Sequence, residues 1–240
     1  MYSEKRLRDT FKMKILLLSY PINDKTPIYG KNPKPLITQH TSIMRGDSAS
    51  GFIIKLHNHT GTHVDAPRHF IPDGKAIWEY SPEELVFDNP LLLECLESPG
   101  GWVEVEDLEE ANLEGIDCLF VHTGFGTCRG SEKYRTNNPG ISPEAILHLR
   151  ERFPKIRCLG IDSISISGYQ DKKRGRRAHL AAFGRQKGLD EPLLLIEDMN
   201  LHAISQRDKL MRIILLPWQI FGIDSAPCTV IAEVAEKYLD

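Results

Sequence analysis

The 240 residues hold no Cys-x-x-Cys pair, no long apolar run and no marked excess of charge of either sign. Five cysteines, Cys95, Cys118, Cys128, Cys158 and Cys228, are scattered and odd in number. That argues against a disulfide framework and against a cysteine-built zinc site, and it fits a reducing cytoplasm. A spanning helix needs about 20 consecutive apolar residues; none is present, so no membrane partner is expected. The apolar stretch Ile15 to Leu18 is short, runs into Tyr20-Pro21, and lacks the small-residue cleavage site of a signal peptide. A formal net charge of −3 gives no strong field for attracting nucleic acid. The basic run Lys172-Lys173-Arg174-Gly175-Arg176-Arg177 has only Tyr169 as a stacking aromatic nearby, so it reads as a solvated loop or lid and no nucleic-acid partner is expected.

What is present is the composition of a folded chain, 41% apolar and 26% charged, long enough to bury a core without staples. Short apolar runs at Met13–Tyr20, Gly51–Asn58, Leu91–Leu96, Asp117–Gly124, Cys158–Asp162, Leu193–Ile196 and Ile213–Leu216 read as strands. Four prolines make residues 21–36 a loop. Ser142-Pro143-Glu144 opens a helix running to about Arg152, with Ser at the N-cap and Pro at the first helical position. Alanine-rich Val230–Leu239 is expected to be a terminal helix. The pattern is mixed α+β, strand-rich, flanked by helices and without a βαβ repeat. Residues 1–12 are expected to form a charged tail and 13–240 one domain, with Met13 a candidate true start.

Nine histidines occur, and four fall between His57 and His69. In His59-Thr60-Gly61-Thr62-His63-Val64-Asp65-Ala66-Pro67-Arg68-His69, the His63 and Asp65 side chains share one face of an extended segment. Gly61 permits a sharp turn that returns His59 toward the same point. Pro67 forbids helix around it and biases Ala66 to extended geometry. Two imidazoles and one carboxylate with open positions form the pattern of a catalytic rather than a structural cation site, suited to zinc, manganese or iron. Asp65 has a second oxygen free to bridge another ion. His69, past the proline, is typed as a proton shuttle. His57 is expected to pack beside the ligands rather than to join them.

The segment His59–Phe70 resembles the H-x-G-T-H-x-D-x-P-x-H signature of the metal-dependent cyclase and bacterial kynurenine formamidase family, related to isatin hydrolase. Leu18-Ser19-Tyr20-Pro21, Thr26-Pro27-Ile28-Tyr29, Thr123-Gly124, Gly160-Ile161-Asp162-Ser163-Ile164-Ser165 and Gly222-Ile223-Asp224-Ser225-Ala226-Pro227 also resemble that family's landmarks. The resemblance implies a compact β/β/α swivelling-type fold with a central barrel-like sheet. It implies hydrolysis of a C–N bond of a formamide or cyclic amide, one or two divalent ions, zinc before manganese, and a homodimer or tetramer. Carried onto this chain, it makes His59, His63 and Asp65 metal ligands and His69 the catalytic acid/base. It adds His179 and Glu197 as further ligands, with Asp198 as the alternative to Glu197. The stretch Gly184–Asp190 is expected to be an insertion.

Tyr29, Phe70, Trp78 and Phe125 are candidate walls for an aryl substrate, equally placed to be core. Two other functions share these residues: a metal-dependent lyase or cyclase acting on a small carbonyl metabolite, and a non-catalytic metal-dependent small-molecule-binding protein. A proton-shuttling His69 argues against mere binding.

Overall fold

A computed structural model describes residues 11–185, 189, 191–205 and 207–237. Its strands are β1 (Phe11–Leu17), β2 (Leu36–Thr41), β3 (Gly51–Lys55), β4 (His63–Asp65), β5 (Val86–Phe87), β6 (Pro90–Glu94), β7 (Trp102–Val103), β8 (Cys118–His122), β9 (Gly140–Ile141), β10 (Cys158–Ile161), β11 (Leu194–Glu197), β12 (Asp208–Pro217) and β13 (Ser225–Lys237). Its α-helices are α1 (Glu106–Glu109), α2 (Glu132–Thr136), α3 (Pro143–Arg152) and α4 (Lys172–Phe183).

Nine strands form one sheet in the order β5-β12-β13-β4-β11-β10-β8-β6, with β1 also paired to β13. The two end strands, β5 and β6, are separated in the chain only by Asp88 and Asn89. A sheet whose opposite edges are joined by two residues must curl back on itself, which makes this mixed α+β fold barrel-like. Asp117 pins the joint by accepting hydrogen bonds from Asp88 N and Asn89 N at 2.9 and 3.0 Å.

The central strands are buried on both faces, so they read as continuous apolar runs. Cys118, Phe120, Cys158, Leu194 and Ile196 face the barrel interior with Val64, Val230 and Val234. Leu119, Val121, Leu159, Ile161 and Leu195 face outward against Ile146 and Leu149 of α3 and Ala178 and Ala182 of α4. Ser142 caps α3 by accepting from Ala145 N at 3.0 Å, with Pro143 in its first turn. Buried Arg150 ties α3 to the end of α4 through the carbonyls of Ala181 and Gly184, a favourable place for a cation.

Three expectations are corrected. Val230–Lys237 is strand, not helix: from Cys228 to Val234 the even positions are buried and the odd ones only partly so, and β13 pairs with β1, β12 and β4. Pairing on both edges overrides the helical preference of alanine. The basic run is the start of α4, not a loop. Gly175, Ala178, His179, Ala182 and Phe183 form its buried stripe at helical spacing, and Asp171 caps it by accepting from Arg174 N at 2.9 Å. The first strand begins at Phe11, two residues before Met13. Residues 1–10 of the expected tail, 186–188 and 190 of the expected insertion, and 238–239 of the expected terminal helix lie outside the described residues. Among the described residues no helix is long and apolar enough to cross a membrane.

Candidate metal centre

β4 is the short strand between β11 and β13, with His63 beside Glu197 and Asp65 beside Leu195. Val64 enters the barrel interior, so His63 and Asp65 project from the opposite face, toward α4. Glu197 shares the outward parity of Leu195. The left-handed Gly61 (φ +68°) turns the chain just before β4, and a Cβ there would sit 3.1 Å from Ile22. Ala66 is extended at φ −108° and ψ 165°, and a short helical turn, Pro67–His69, carries His69 back over the site.

Asp65 is buried at the centre. Its Oδ1 lies 2.9 Å from His59 Nδ1 and 3.4 Å from His63 Nε2. Its Oδ2 lies 3.7 Å from His179 Nε2 and 3.9 Å from His69 Nε2. Glu197 repeats the division, with Oε2 3.4 Å from His63 Nε2 and Oε1 3.5 Å from His179 Nε2. The structure therefore brings His59, His63, Asp65, His69, His179 and Glu197 together around one buried space. Glu197 rather than Asp198 faces it. Asp198, the one described non-glycine residue at positive φ (55°), is gripped by Arg129 at 2.6 and 2.7 Å and by the Tyr134 hydroxyl at 2.5 Å.

Each imidazole has one nitrogen committed elsewhere. His63 Nδ1 donates to the Gly61 carbonyl at 2.9 Å. His179 Nδ1 lies 3.2 Å from the Gly175 carbonyl and 3.1 Å from Ser167 Oγ. His59 Nε2 and His69 Nδ1 both donate to Asp224 Oδ2, at 3.2 and 2.8 Å. Such partners fix the tautomer and turn the other nitrogen's lone pair inward. His57 stays outside, its Nδ1 accepting the His59 backbone N–H at 3.2 Å. Glu197 Oε1 accepts from Ser165 Oγ and Ile166 N, both at 2.8 Å.

His63 Nε2 and both oxygens of Asp65 are buried without a hydrogen-bond partner. The 2.9 Å contact with His59 Nδ1 falls outside hydrogen-bond geometry, so Asp65 Oδ1 stays unsatisfied. An orphaned buried carboxylate is costly, and this set of imidazole nitrogens and carboxylate oxygens fits a divalent transition cation. The protein's own charges tell the same story. Burial would lower His59, but the Asp65 and Asp224 carboxylates carry it up to about 10. His179 is likewise driven down by burial and up to about 9 by Asp65 and Glu197. Against its burial, Glu197 falls to about 2 beside His179 and His63. The site is a pocket of negative potential that demands positive charge.

Beside it opens a cavity of about 410 Å³, a size usual for small-molecule sites. Tyr29 and Phe70 line it, and Phe70 stacks on His179 at 4.6 Å. Burial and Glu197 push the Tyr29 phenol up to about 12, so it stays a neutral donor. Trp78 and Phe125 are not in its walls: Trp78 packs on Phe221 and Phe125 on Tyr134. Lys172 and Arg176 of α4 line the cavity, while their neighbours Arg174 and Arg177 are engaged by Glu104 and Glu144.

The residue that sequence reasoning missed is Asp224. It lies on the segment entering β13, far in sequence from the histidines it orients. One signal was present: the tetrapeptide Gly-Ile-Asp-Ser occurs twice, at 160–163 and 222–225.

Residues 16–167 match the family model described as "Putative cyclase". The kynurenine formamidase of Bacillus cytotoxicus is 26% identical over 215 residues, covering 89% of this chain and 94% of that protein. A Haemophilus influenzae protein described as uncharacterized is 36% identical over 121 residues, 47% of this chain and 82% of that one. Isatin hydrolase A from Labrenzia aggregata, solved bound to benzyl benzoate, shares the fold with a TM-score of 0.78 and 22% identity, covering 93% of this chain and 94% of that one.

Proposed function

The chain belongs to the cyclase family, and from that premise we propose that it is a metal-dependent hydrolase of a C–N bond in a formamide or cyclic amide. The observation that carries the reading is the orphaned Asp65 carboxylate among inward-turned imidazoles, with His69 beside it. His59, His63, Asp65, His179 and Glu197 are the proposed ligands, for zinc first and manganese second. The two oxygens of Asp65 and of Glu197 are divided between two imidazole groups, which supports room for two ions. A divalent cation held here supplies a Lewis acid for the amide oxygen and lowers the pKa of water.

The chain's own groups do the rest. His69 is aimed by its Nδ1–H bond to Asp224, so its Nε2 is the atom that passes a proton to the departing nitrogen. Asp224 stabilises the charge that His69 acquires. Phe70 and Tyr29 exclude water from the substrate side. Lys172 and Arg176 face the cavity with no carboxylate partner within 4.0 Å among the described residues, so the substrate is proposed to carry an anionic group.

Five free cysteines support a reducing, cytoplasmic setting. A homo-oligomer is proposed on the β2–β3 hairpin, where Leu36, Ile37, Phe52, Ile53 and Ile54 are all exposed and form an apolar surface larger than scattered side chains would make.

The test is hydrolysis of N-formylkynurenine and of cyclic imides, with metal content, before and after chelation. Activity lost on chelation and restored by zinc or manganese is expected. Full activity in metal-stripped protein sinks the reading. A product without one added water replaces hydrolysis by lyase or cyclase chemistry on the same residues.

A further inference from the structure

A second group of donors converges at the barrel mouth, on the opposite face of the sheet. β6, β8 and β10 run parallel in register, with Glu94 beside His122 and Val121 beside Ile161. His122 and Asp162 therefore keep the inward parity of Phe120 and Gly160, whereas Val121 and Ile161 face the helices. His202 arrives from the turn Leu201–Ala203 that follows β11. One donor atom each from His122, Asp162 and His202 lies within 4.8 Å of the others. His122 Nε2 is 3.7 Å from Asp162 Oδ2, and the two imidazoles meet edge to face at 81° with centroids 5.0 Å apart.

Three features point to a ligand. His122 Nε2 is buried and has no hydrogen-bond partner. Asp162 is fully buried, yet its hydrogen-bond donors are all neutral: Thr123 N and Oγ1 to Oδ1 at 2.8 and 2.6 Å, and Gly126 N to Oδ2 at 3.2 Å. Oδ2 keeps acceptor capacity. Gly126 admits the third group, since a Cβ there would lie 2.8 Å from His202 Nε2.

We propose that His122, Asp162 and His202 form a second site for a divalent transition cation, separate from the catalytic centre. Two imidazoles and one carboxylate suit zinc and its neighbours, with coordination positions left open on the exposed His202 side. The inference does not rest on the hydrolase reading. An ion here ties the ends of β8 and β10 to the turn after β11 and takes no part in the reaction.

The experiment reloads chelated, full-length protein with zinc alone and measures zinc per chain after desalting. His202→Ala, at an exposed position, is expected to hold one zinc fewer than wild type and to keep the wild-type rate. His122→Gln is expected to lose the same equivalent, with thermal denaturation reporting its fold. Asp65→Asn is expected to retain the equivalent that His202→Ala loses; if Asp65→Asn does not fold, the two histidine variants decide alone. Equal zinc in His202→Ala and wild type overturns the proposal. So does loss of zinc and activity together in His202→Ala, because the ion would then belong to the catalytic centre.

Discussion

Replacing Asp224 by Asn tests whether a carboxylate outside the ligand set governs the proton transfer. The substitution keeps shape and one acceptor oxygen but removes the charge that receives His69 Nδ1–H at 2.8 Å and His59 Nε2–H at 3.2 Å. Asn58 Nδ2, 2.8 Å from Asp224 Oδ1, holds the side chain in place. A hydrogen bond to a charged group is worth about 1.5–3 kcal/mol. In the proposed mechanism that bond strengthens as His69 carries the proton in the transition state, so the loss falls on the barrier, a decrease of roughly 10- to 160-fold in kcat. KM at saturating metal should change little, because Asp224 does not line the substrate cavity. Loss of the His59 partner should weaken metal binding by roughly 10- to 100-fold. Steady-state kinetics with excess metal, together with a metal titration, separate the two effects. A variant with wild-type kcat under excess metal refutes the positioning role, and unchanged metal affinity refutes the link through His59.

Arg176→Ala should raise KM for a carboxylate-bearing formamide and leave a neutral analogue unaffected; equal effects on both would remove the anion preference. Arg129→Leu strands the buried Asp198 carboxylate with only the Tyr134 hydroxyl, at a cost of about 3–5 kcal/mol, seen as a lowered denaturant midpoint with unchanged m-value. The pH dependence of metal-free protein follows from the raised histidines and the depressed carboxylate. His59 (about 10) and His179 (about 9) lie above their ordinary value, so their contribution is complete below about pH 6.5 and lost as pH rises through 9 and 10. Glu197 (about 2) contributes above its ordinary value and loses that contribution as pH falls toward 2. Chelated protein should therefore melt at lower temperature at alkaline pH than at slightly acid pH, and bound metal should remove the alkaline loss because the ligands are already deprotonated. Phe52→Asp with Ile54→Asp should shift the mass measured by light scattering to that of a monomer; a wild type that is already monomeric rejects the hairpin interface.

The histidine segment was readable because its geometry is local: a two-residue spacing, a glycine turn and a proline place four side chains without help from the rest of the chain. The strands buried on both faces were readable as apolar runs. The C-terminal segment was misread because alanine and glutamate favour helix locally, while the outcome was decided by β1 and β12, one of them more than 200 residues away. α4 was hidden by its charges. Its buried stripe from Gly175 to Phe183 carries the helical period, but five basic residues crowd its first two turns and give that stretch the composition of a solvated loop. Asp224 and the Arg129–Asp198–Tyr134 group depend on contacts between distant segments; the repeated Gly-Ile-Asp-Ser marks Asp224 but not the histidines it touches.

The shared oxygens of Asp65 and Glu197 make occupancy a problem of charge balance. Two carboxylates neutralise one divalent cation; a second leaves the cluster electropositive while competing for the same donors, so successive loadings should be antagonistic. An anionic reactant entering past Lys172 and Arg176 would relieve that excess. By reciprocity, whatever such an anion adds to retention of the second cation, that cation returns as affinity for the anion, so substrate concentration and metal stoichiometry must be varied together.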